Sequence, residues 1–374
     1  MKILVAMGTR PEIVKLAPVV KALSESRHQL VTVATGQHYD DAMAGGFFSD
    51  LDVEPDVRWN LPAGEAERLG VMFEKALDVV GSEKPDIVVC LGDTYTVPLF
   101  CLASRRFCVP VAHLEAGLRS LNETSMEEVN RRVAAATASL HLAPTSLAAR
   151  MLEREGIKPE RVRVVGNPVL DVLRQRAVTP RALSQRCGVT VTAHRPSNVD
   201  DPHRRARLVE LLLALSTILA PVRFPAHPRT RKLLDADGAL PRLASAGVQV
   251  LDPLRYPEML EALASSQVVL TDSGGLQEEA SWLGVPVVVL RKSTPRWEGV
   301  QAGTSVLVGM DPDAAIAAAT RFASPSEQLR VASQPCPYGD GHTSEAVVSI
   351  FAEEDLLERL SFHEPDYTQR LPVL

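Results

Sequence analysis

Asp93, Glu115 and His194 each stand directly after a short apolar run, where a parallel sheet gathers its functional groups. The segments are Leu91-Gly92-Asp93-Thr94, His113-Leu114-Glu115 and Val191-Thr192-Ala193-His194-Arg195. Strand ends at one sheet edge converge in space, so such groups are candidates for a shared site. Glu127, in Met126-Glu127-Glu128-Val129-Asn130-Arg131, adds a third acid at a helix start, where it also satisfies the helix dipole. Neighbouring carboxylates raise the pKa of at least one member, which makes an acid or base usable near neutrality. His194 can move protons at physiological pH, and Arg195 can hold phosphate.

A second set of residues suits an anion. Thr271-Asp272-Ser273-Gly274-Gly275-Leu276-Gln277-Glu278-Glu279 follows an apolar run ending at Leu270, which predicts a buried strand, a glycine turn and a helix start. Gly274 and Gly275 let the backbone approach a phosphate, and the first amides at Ser273 offer roughly half a positive charge. Glu279, inside the helix, can reach a sugar hydroxyl. After the first apolar run, Gly8-Thr9-Arg10-Pro11-Glu12-Ile13-Val14-Lys15 sets Arg10 and Lys15 near a strand's carboxyl end, with Pro11 opening a helix. This turn is not Gly-x-Gly-x-x-Gly, so a dinucleotide site is weakly supported. His227 and Arg229 repeat the His194-Arg195 pattern one strand later, and Arg296 reads either as a ligand cap or as a surface-loop arginine. No His/Cys/Asp cluster has metal-ligand spacing and no Gly-x-Ser-x-Gly elbow occurs, so neither a metal nor a cofactor is expected.

The elements that must position these residues alternate between short apolar runs and helical stretches. Runs at Ile3 to Met7, Leu30 to Ala34, Ile87 to Leu91, Val109 to His113, Leu140 to Ala143 and Val162 to Val165 form one set. A second set lies at Val189 to Ala193, Val222 to Pro225, Val248 to Leu251, Val268 to Thr271, Val285 to Leu290 and Ser305 to Val308. Alternation of this kind predicts parallel sheets with crossover helices. The expected class is α/β with two similar halves: residues 1–168 carrying the acids, a hinge over 169–187, a ligand-binding half over 188–350, and a helix and tail over 351–374. The cleft between halves is the default ligand site. With 374 residues and a net charge of -6, the chain has room for two domains and lacks the concentrated basic charge of a nucleic-acid surface. No apolar stretch of about 20 residues suggests a membrane span. The first residues lack a signal-peptide pattern, and five cysteines without metal spacing read as reduced thiols of a cytoplasmic protein.

With these residues in view, the chain resembles the non-hydrolysing UDP-N-acetylglucosamine 2-epimerases from residue 1 to about residue 350. The likeness is carried by Gly8 to Glu12 with Lys15, Thr35-Gly36-Gln37-His38, Gly92-Asp93-Thr94, His113 to Arg119, Glu127 to Arg131, Gly166-Asn167-Pro168, Thr192 to Arg195, Phe224 to Arg229, Thr271 to Glu279, and Pro337-Tyr338-Gly339-Asp340-Gly341. The resemblance implies the GT-B architecture, two Rossmann-like domains with the active site in the interdomain cleft and a C-terminal helix packing back on the first domain. It implies catalytic positions at Asp93, Glu115, Glu127 and His194, and UDP-sugar contacts at Arg10, Lys15, Ser273, Gly274, Gly275, Glu279 and Arg296. It also implies a homodimer and inversion at carbon 2 through loss and re-addition of UDP. The chain departs from the family pattern in three places. Pro196-Ser197-Asn198 follows His194-Arg195 where a further residue and Glu-Asn are usual, near a second, regulatory substrate site. Met259 stands where an aromatic commonly meets the uracil, and Met126 replaces a frequent proline. A hydrolysing 2-epimerase, a GT-B glycosyltransferase and a nucleotide-sugar sensor remain as other readings; the three acids disfavour the last two.

Overall fold

The computed structural model describes residues 1–36 and 53–364. Gln37 and His38 of the Thr35 to His38 motif, and the tail from residue 365, lie outside the described residues. The chain divides into two units: Met1–Gly117, Val129–Val165 and Thr343–Leu374 in the first, and Leu118–Glu128 with Gly166–His342 in the second.

In the first unit, strands β1 (Lys2–Met7), β2 (Gln29–Ala34), β3 (Val57–Arg58), β4 (Ile87–Leu91), β5 (Val111–Leu114), β6 (Leu140–Ala143) and β7 (Val162–Val164) form a parallel sheet in the order β3-β2-β1-β4-β5-β6-β7. Both faces of the central strands β1 and β4 are covered, which is why these two read as nearly continuous apolar runs. Ile3, Val5 and Met7 of β1 enter one core, while Leu4 and Ala6 enter the core on the other face. Chain order reverses between β1 and β4, the switch point at which open α/β sheets bind ligands beyond the strands' carboxyl ends. Gly8 leaves β1 there, and Gly92 and Asp93 leave β4.

The second unit repeats the plan with β8 (Val189–Thr192), β9 (Val222–Pro225), β10 (Val248–Leu251), β11 (Val268–Thr271), β12 (Val287–Val289) and β13 (Ser305–Leu307), ordered β10-β9-β8-β11-β12-β13. Its switch point lies between β8 and β11, so His194 and the Asp272-Ser273 turn share one edge.

Three features depart from the expectations set by the runs and their spacing. Residues 118–128 group with the second unit, and the stretch read as a hinge begins with the helix Pro168–Gln175, whose Val169, Leu170 and Leu173 enter a core of the second unit with Leu263, Ala280 and Leu283. The C-terminal helix expected from residue 351 is two helices, Thr343–Phe351 and Leu356–Leu360, and begins earlier. Glu353, Glu354 and Asp355 lie between them, where acids oppose a helix C-terminus and favour the start of the next helix. Val347, Ile350 and Phe351 join Ile13, Leu16 and Val20 of the helix Arg10–Ser24 in the first unit's core. β3, only two residues long, was too short to give a sequence pattern.

Gly117 shows how tightly the β5 turn is held. Its φ is +86°, and a Cβ there would stand 2.1 Å from the Ala148 carbonyl oxygen. Gly117→Ala is expected to destabilise the protein by about 2–5 kcal/mol, from left-handed strain plus overpacking against backbone. The urea midpoint measures this; an unchanged midpoint would show that the turn is free to relax.

Candidate active site

At the first unit's switch point, the helix Arg10–Ser24 starts with a capping box: Glu12 Oε2 accepts from Gly8 N at 2.7 Å and Thr9 N at 2.9 Å. One turn on, Lys15 is ion-paired with Glu115, and both are buried. A carboxylate that is 6% exposed needs such a partner, so Lys15, expected to meet a ligand anion, has Glu115 as its near neighbour. Arg10, on the first turn of the same helix, is exposed.

Glu115 has φ +60°, a conformation that costs energy in a non-glycine residue and often marks a functional turn. His113, on the strand before it, has its Nε2 2.8 Å from the Gly92 carbonyl oxygen and so ties β5 to the Asp93 turn. Asp93 is ion-paired with the largely buried Arg131, and Asn130 Nδ2 donates to its carbonyl at 2.9 Å. Two residues of the Glu127 to Arg131 motif therefore orient Asp93.

Glu12 belongs to this group although only its helix-cap spacing was legible in sequence. Burial pushes its pKa up to about 7, and Asp93 adds to the rise, partly offset by the Thr94 hydroxyl and the Thr9 and Gly8 amides.

In the second unit, His194 Nδ1 lies 3.1 Å from Asp272 Oδ1. Asp272 is fully buried and also accepts from His194 N at 3.0 Å, Arg195 N at 2.9 Å and Asn198 Nδ2 at 3.1 Å. Burial would raise its pKa, but the His194 ring, the Arg195 amide and Asn198 together hold it below the ordinary carboxylate value. The ionised Asp272 orients the imidazole and directs Nε2 away from itself. Asp272 was not singled out beforehand, although it directly follows β11 and so carried the same signal as Asp93.

Glu127 falls in the second unit, with Ser125 Oγ donating to it and Arg195 Nη1 at 3.8 Å. Its neighbour Glu128 is buried and accepts from Ser120 N at 2.8 Å and Ser120 Oγ at 3.0 Å, a structural cap for the preceding loop. His227 is exposed, and its ring centroid lies 6.1 Å from that of His194. Partial burial, His194 and Arg229 all lower its pKa, which favours a neutral ring.

Gly274 and Gly275 open the helix Gly274–Trp282 after Ser273, whose amide donates to Thr271 Oγ1 at 3.0 Å. Neither glycine has positive φ, and a Cβ on either would meet nothing within 4 Å. Among the described residues, neither backbone conformation nor packing gives a reason for glycine here, and the space at these Cβ positions is open.

Glu279 is buried in this helix. Its neighbour Glu278 is fully buried, ion-paired with Arg296 Nε at 2.5 Å and bonded by Asn167 Nδ2 at 2.6 Å. The reading of Arg296 as a surface-loop arginine is therefore corrected: it is 6% exposed. A groove of about 750 Å³ elsewhere in this unit is lined by Arg176, Arg181, Pro257 and Glu261 and contains none of the site residues. Among the described residues, no group of three His, Cys, Asp or Glu side chains could hold a metal, and no helix is long and apolar enough to cross a membrane.

Each unit thus has polar and charged groups at its own switch point, acids in the first and an imidazole with a glycine-led helix start in the second. The family profile described as UDP-N-acetylglucosamine 2-epimerase matches residues 21–352. The chain belongs to the UDP-N-acetylglucosamine 2-epimerase family.

Among relatives of this epimerase, the UDP-N-acetylglucosamine 2-epimerase of Methanocaldococcus jannaschii is 34% identical over 366 residues, covering 94% of this chain and 98% of its own. The UDP-2,3-diacetamido-2,3-dideoxy-D-glucuronate 2-epimerase of Pseudomonas aeruginosa is 36% identical over 364 residues, covering 94% and 100%. A crystal structure of the M. jannaschii enzyme in complex with UDP-GlcNAc and UDP matches with a TM-score of 0.82 at 33% identity, over 94% of this chain and 99% of that one. The epimerase has the two parallel sheets of the GT-B type, as the sequence resemblance implied.

Proposed function

We propose that this protein interconverts UDP-N-acetylglucosamine and UDP-N-acetylmannosamine without releasing free sugar. The observation that carries the reaction is the pair of carboxylates at the first switch point, each with its own cation: Glu115 with Lys15 and Asp93 with Arg131. Two carboxylates held by cations at one strand edge can serve as a pair of acid–base groups.

The proton on carbon 2 is not next to a carbonyl and is too weakly acidic to leave by itself. Its removal is coupled to departure of UDP from carbon 1. A carboxylate takes the proton, the carbon–hydrogen pair becomes the double bond of a 2-acetamidoglucal, and the carbon 1 to oxygen pair leaves on the β-phosphate. Re-addition reverses the flow, with a proton delivered to the opposite face of carbon 2 and UDP rejoined to carbon 1. Two faces call for two acid–base groups, a role that Asp93 and Glu115 can fill, with Glu127 assisting. No hydride moves. Arg10, His194, Ser273 and the Gly274-Gly275 amides are suited to hold the diphosphate as charge gathers on it, and Glu279 suits a ribose hydroxyl. Lys15 holds Glu115 in place through their ion pair, Arg296 braces the helix Gly274–Trp282 through Glu278, and His227 stands beside His194.

The Arg10-Pro11-Glu12-Ile13-Val14-Lys15-Leu16-Ala17-Pro18 run favours the non-hydrolysing branch over the hydrolysing one. The P. aeruginosa relative motivates a second reading of the substrate, since its named sugar carries a further acetamido group and a carboxylate while the epimerised carbon is the same. Incubation with each UDP-sugar and separation of the products tests the choice. Turnover of UDP-N-acetylglucosamine to the manno epimer is expected; turnover of the acidic sugar alone would replace the substrate while keeping the reaction. A homodimer in the cytoplasm fits the reading.

Gly275→Ala separates binding from folding at the diphosphate turn. Added Cβ atoms meet no protein atom there, so thermal stability should be unchanged or slightly raised, as for Gly to Ala in a helix. UDP affinity should fall roughly tenfold or more, the equivalent of one charge-assisted hydrogen bond. Calorimetric titration with UDP reads this, and unchanged affinity would remove the helix start from the binding site.

A further inference from the structure

The first unit holds a third buried carboxyl beside the two assigned to chemistry. Glu12 is 4% exposed and lies one turn before Lys15 on the same helix. Its Oε1 stands 3.5 Å, and Glu115 Oε2 stands 3.9 Å, from the point a Gly92 Cβ would occupy. Gly92 is therefore flanked by both carboxyls. On the other side, a Gly8 Cβ would stand 2.7 Å from Glu12 Oε2, 2.3 Å from Thr96 Oγ1 and 3.1 Å from Thr94 Oγ1. Glu12 thus packs against the turns after β1 and β4, and Glu115 of the β5 turn meets the same Gly92 position.

The surrounding charges are set out element by element. Lys15, from Glu12's own helix, pairs with Glu115 of the β5 turn; Arg131, from the helix Met126–Thr137, pairs with Asp93 of the β4 turn. Among the described residues, Cys90 of β4 and His113 of β5 are the further titratable groups nearby, with Arg10 exposed on the helix's first turn. Lys15 pairs with Glu115 and Arg131 with Asp93, while Glu12 accepts from the Gly8 and Thr9 amides and from the Thr94 hydroxyl. A negative charge at Glu12 would compete with Glu115 for Lys15, one turn along the same helix, and Asp93 nearby disfavours that charge.

Resting on the epimerase reading, we propose that Glu12 is a positioning residue that acts in its neutral, protonated form: it ties the Gly8-Thr9 turn to the Asp93 and Glu115 turns, and its ionisation disarms the pair as pH rises. Burial works in the same direction, holding the group near pH 7 rather than at the ordinary carboxylate value of 4.5. An acid whose pKa is raised by folding contributes stability that is complete below the unfolded value and is lost as pH rises through the folded one. The window is therefore pH 4.5 to about 7, and the neutral form is depleted above it.

Glu12→Gln keeps an oxygen for the Gly8 and Thr9 amides and cannot ionise. Wild type and Glu12→Gln are compared by kcat and KM for the UDP-sugar from about pH 5 to 9, and by urea stability over the same range. The wild type should lose stability across the window while Glu12→Gln does not. The wild type's alkaline fall in kcat should move up by about one pH unit or more in the variant, with KM within roughly threefold. A ¹³C carboxyl titration of wild-type Glu12 reads the group without substitution, so the test survives a variant that fails to fold.

An unshifted alkaline limb with the same pH dependence of stability would overturn the proposal, as would a Glu12 carboxyl titrating near the ordinary glutamate value. A folded Glu12→Gln inactive at every pH would also overturn it, since that would make Glu12 part of the chemistry. If the wild type turned over no UDP-sugar while Glu12 still titrated near pH 7 and governed stability, the functional reading would fail and the neutral-carboxyl assignment would stand.

Discussion

Glu115→Gln is expected to lower kcat by about 10²- to 10⁴-fold while UDP binds within roughly threefold of wild type. Glutamine has the volume of glutamate but takes no proton, so the loss falls on the step in which carbon 2 gives up or regains its hydrogen. Glu115 is suited to this because its turn is fixed at several points. Lys15 pairs with it, Gly117 is pressed against the Ala148 carbonyl, and the His113 ring meets the Gly92 carbonyl oxygen. UDP retention separates this account from a structural one, since a collapsed site loses binding as well. Turnover within tenfold of wild type would remove Glu115 from the acid–base pair, and a matching loss of UDP affinity would make it a binding residue.

Arg296→Met should cost about 3–5 kcal/mol of stability, because it removes the cation from the ion pair with the fully buried Glu278. Asn167 supplies one hydrogen bond to that carboxylate but no charge. The double variant Arg296→Met with Glu278→Met should recover most of the loss, since replacing both partners of a buried pair by apolar groups is often neutral. Urea unfolding of the four proteins forms a double-mutant cycle. A small loss in Arg296→Met with no recovery in the double variant would contradict the bracing role. It would return Arg296 to direct contact with the ligand as its main purpose.

Much of this arrangement was legible because buried parallel strands announce themselves. Ile87–Leu91 and Val268–Thr271 are unbroken apolar or β-branched runs ended by glycine or a polar turn, and the strands occupy those residues. Asp93, Glu115 and His194 stood out because a strand end fixes where the following side chain emerges. Pairings across long sequence distance were hidden. Lys15 meets Glu115 a hundred residues away, so a lysine with an anion-binding look turned out to have a carboxylate partner in the same unit. Arg296 was ambiguous until Glu278 supplied its reason for burial. Asp272 and Glu12 were obscured by ordinary local roles, one as a turn residue and the other as a helix cap. Glu127 sits where the chain passes from one unit to the other, a boundary that no local periodicity marks.

Epimerisation in deuterium oxide, followed by proton NMR and mass spectrometry, tests the central claim most directly. Incubation with UDP-N-acetylglucosamine is expected to give UDP-N-acetylmannosamine carrying one deuterium at carbon 2, with the recovered substrate labelled at the same carbon as the reaction approaches equilibrium. Epimer formed without the label would contradict proton removal at carbon 2, and accumulation of UDP with free N-acetylmannosamine would place the enzyme in the hydrolysing class.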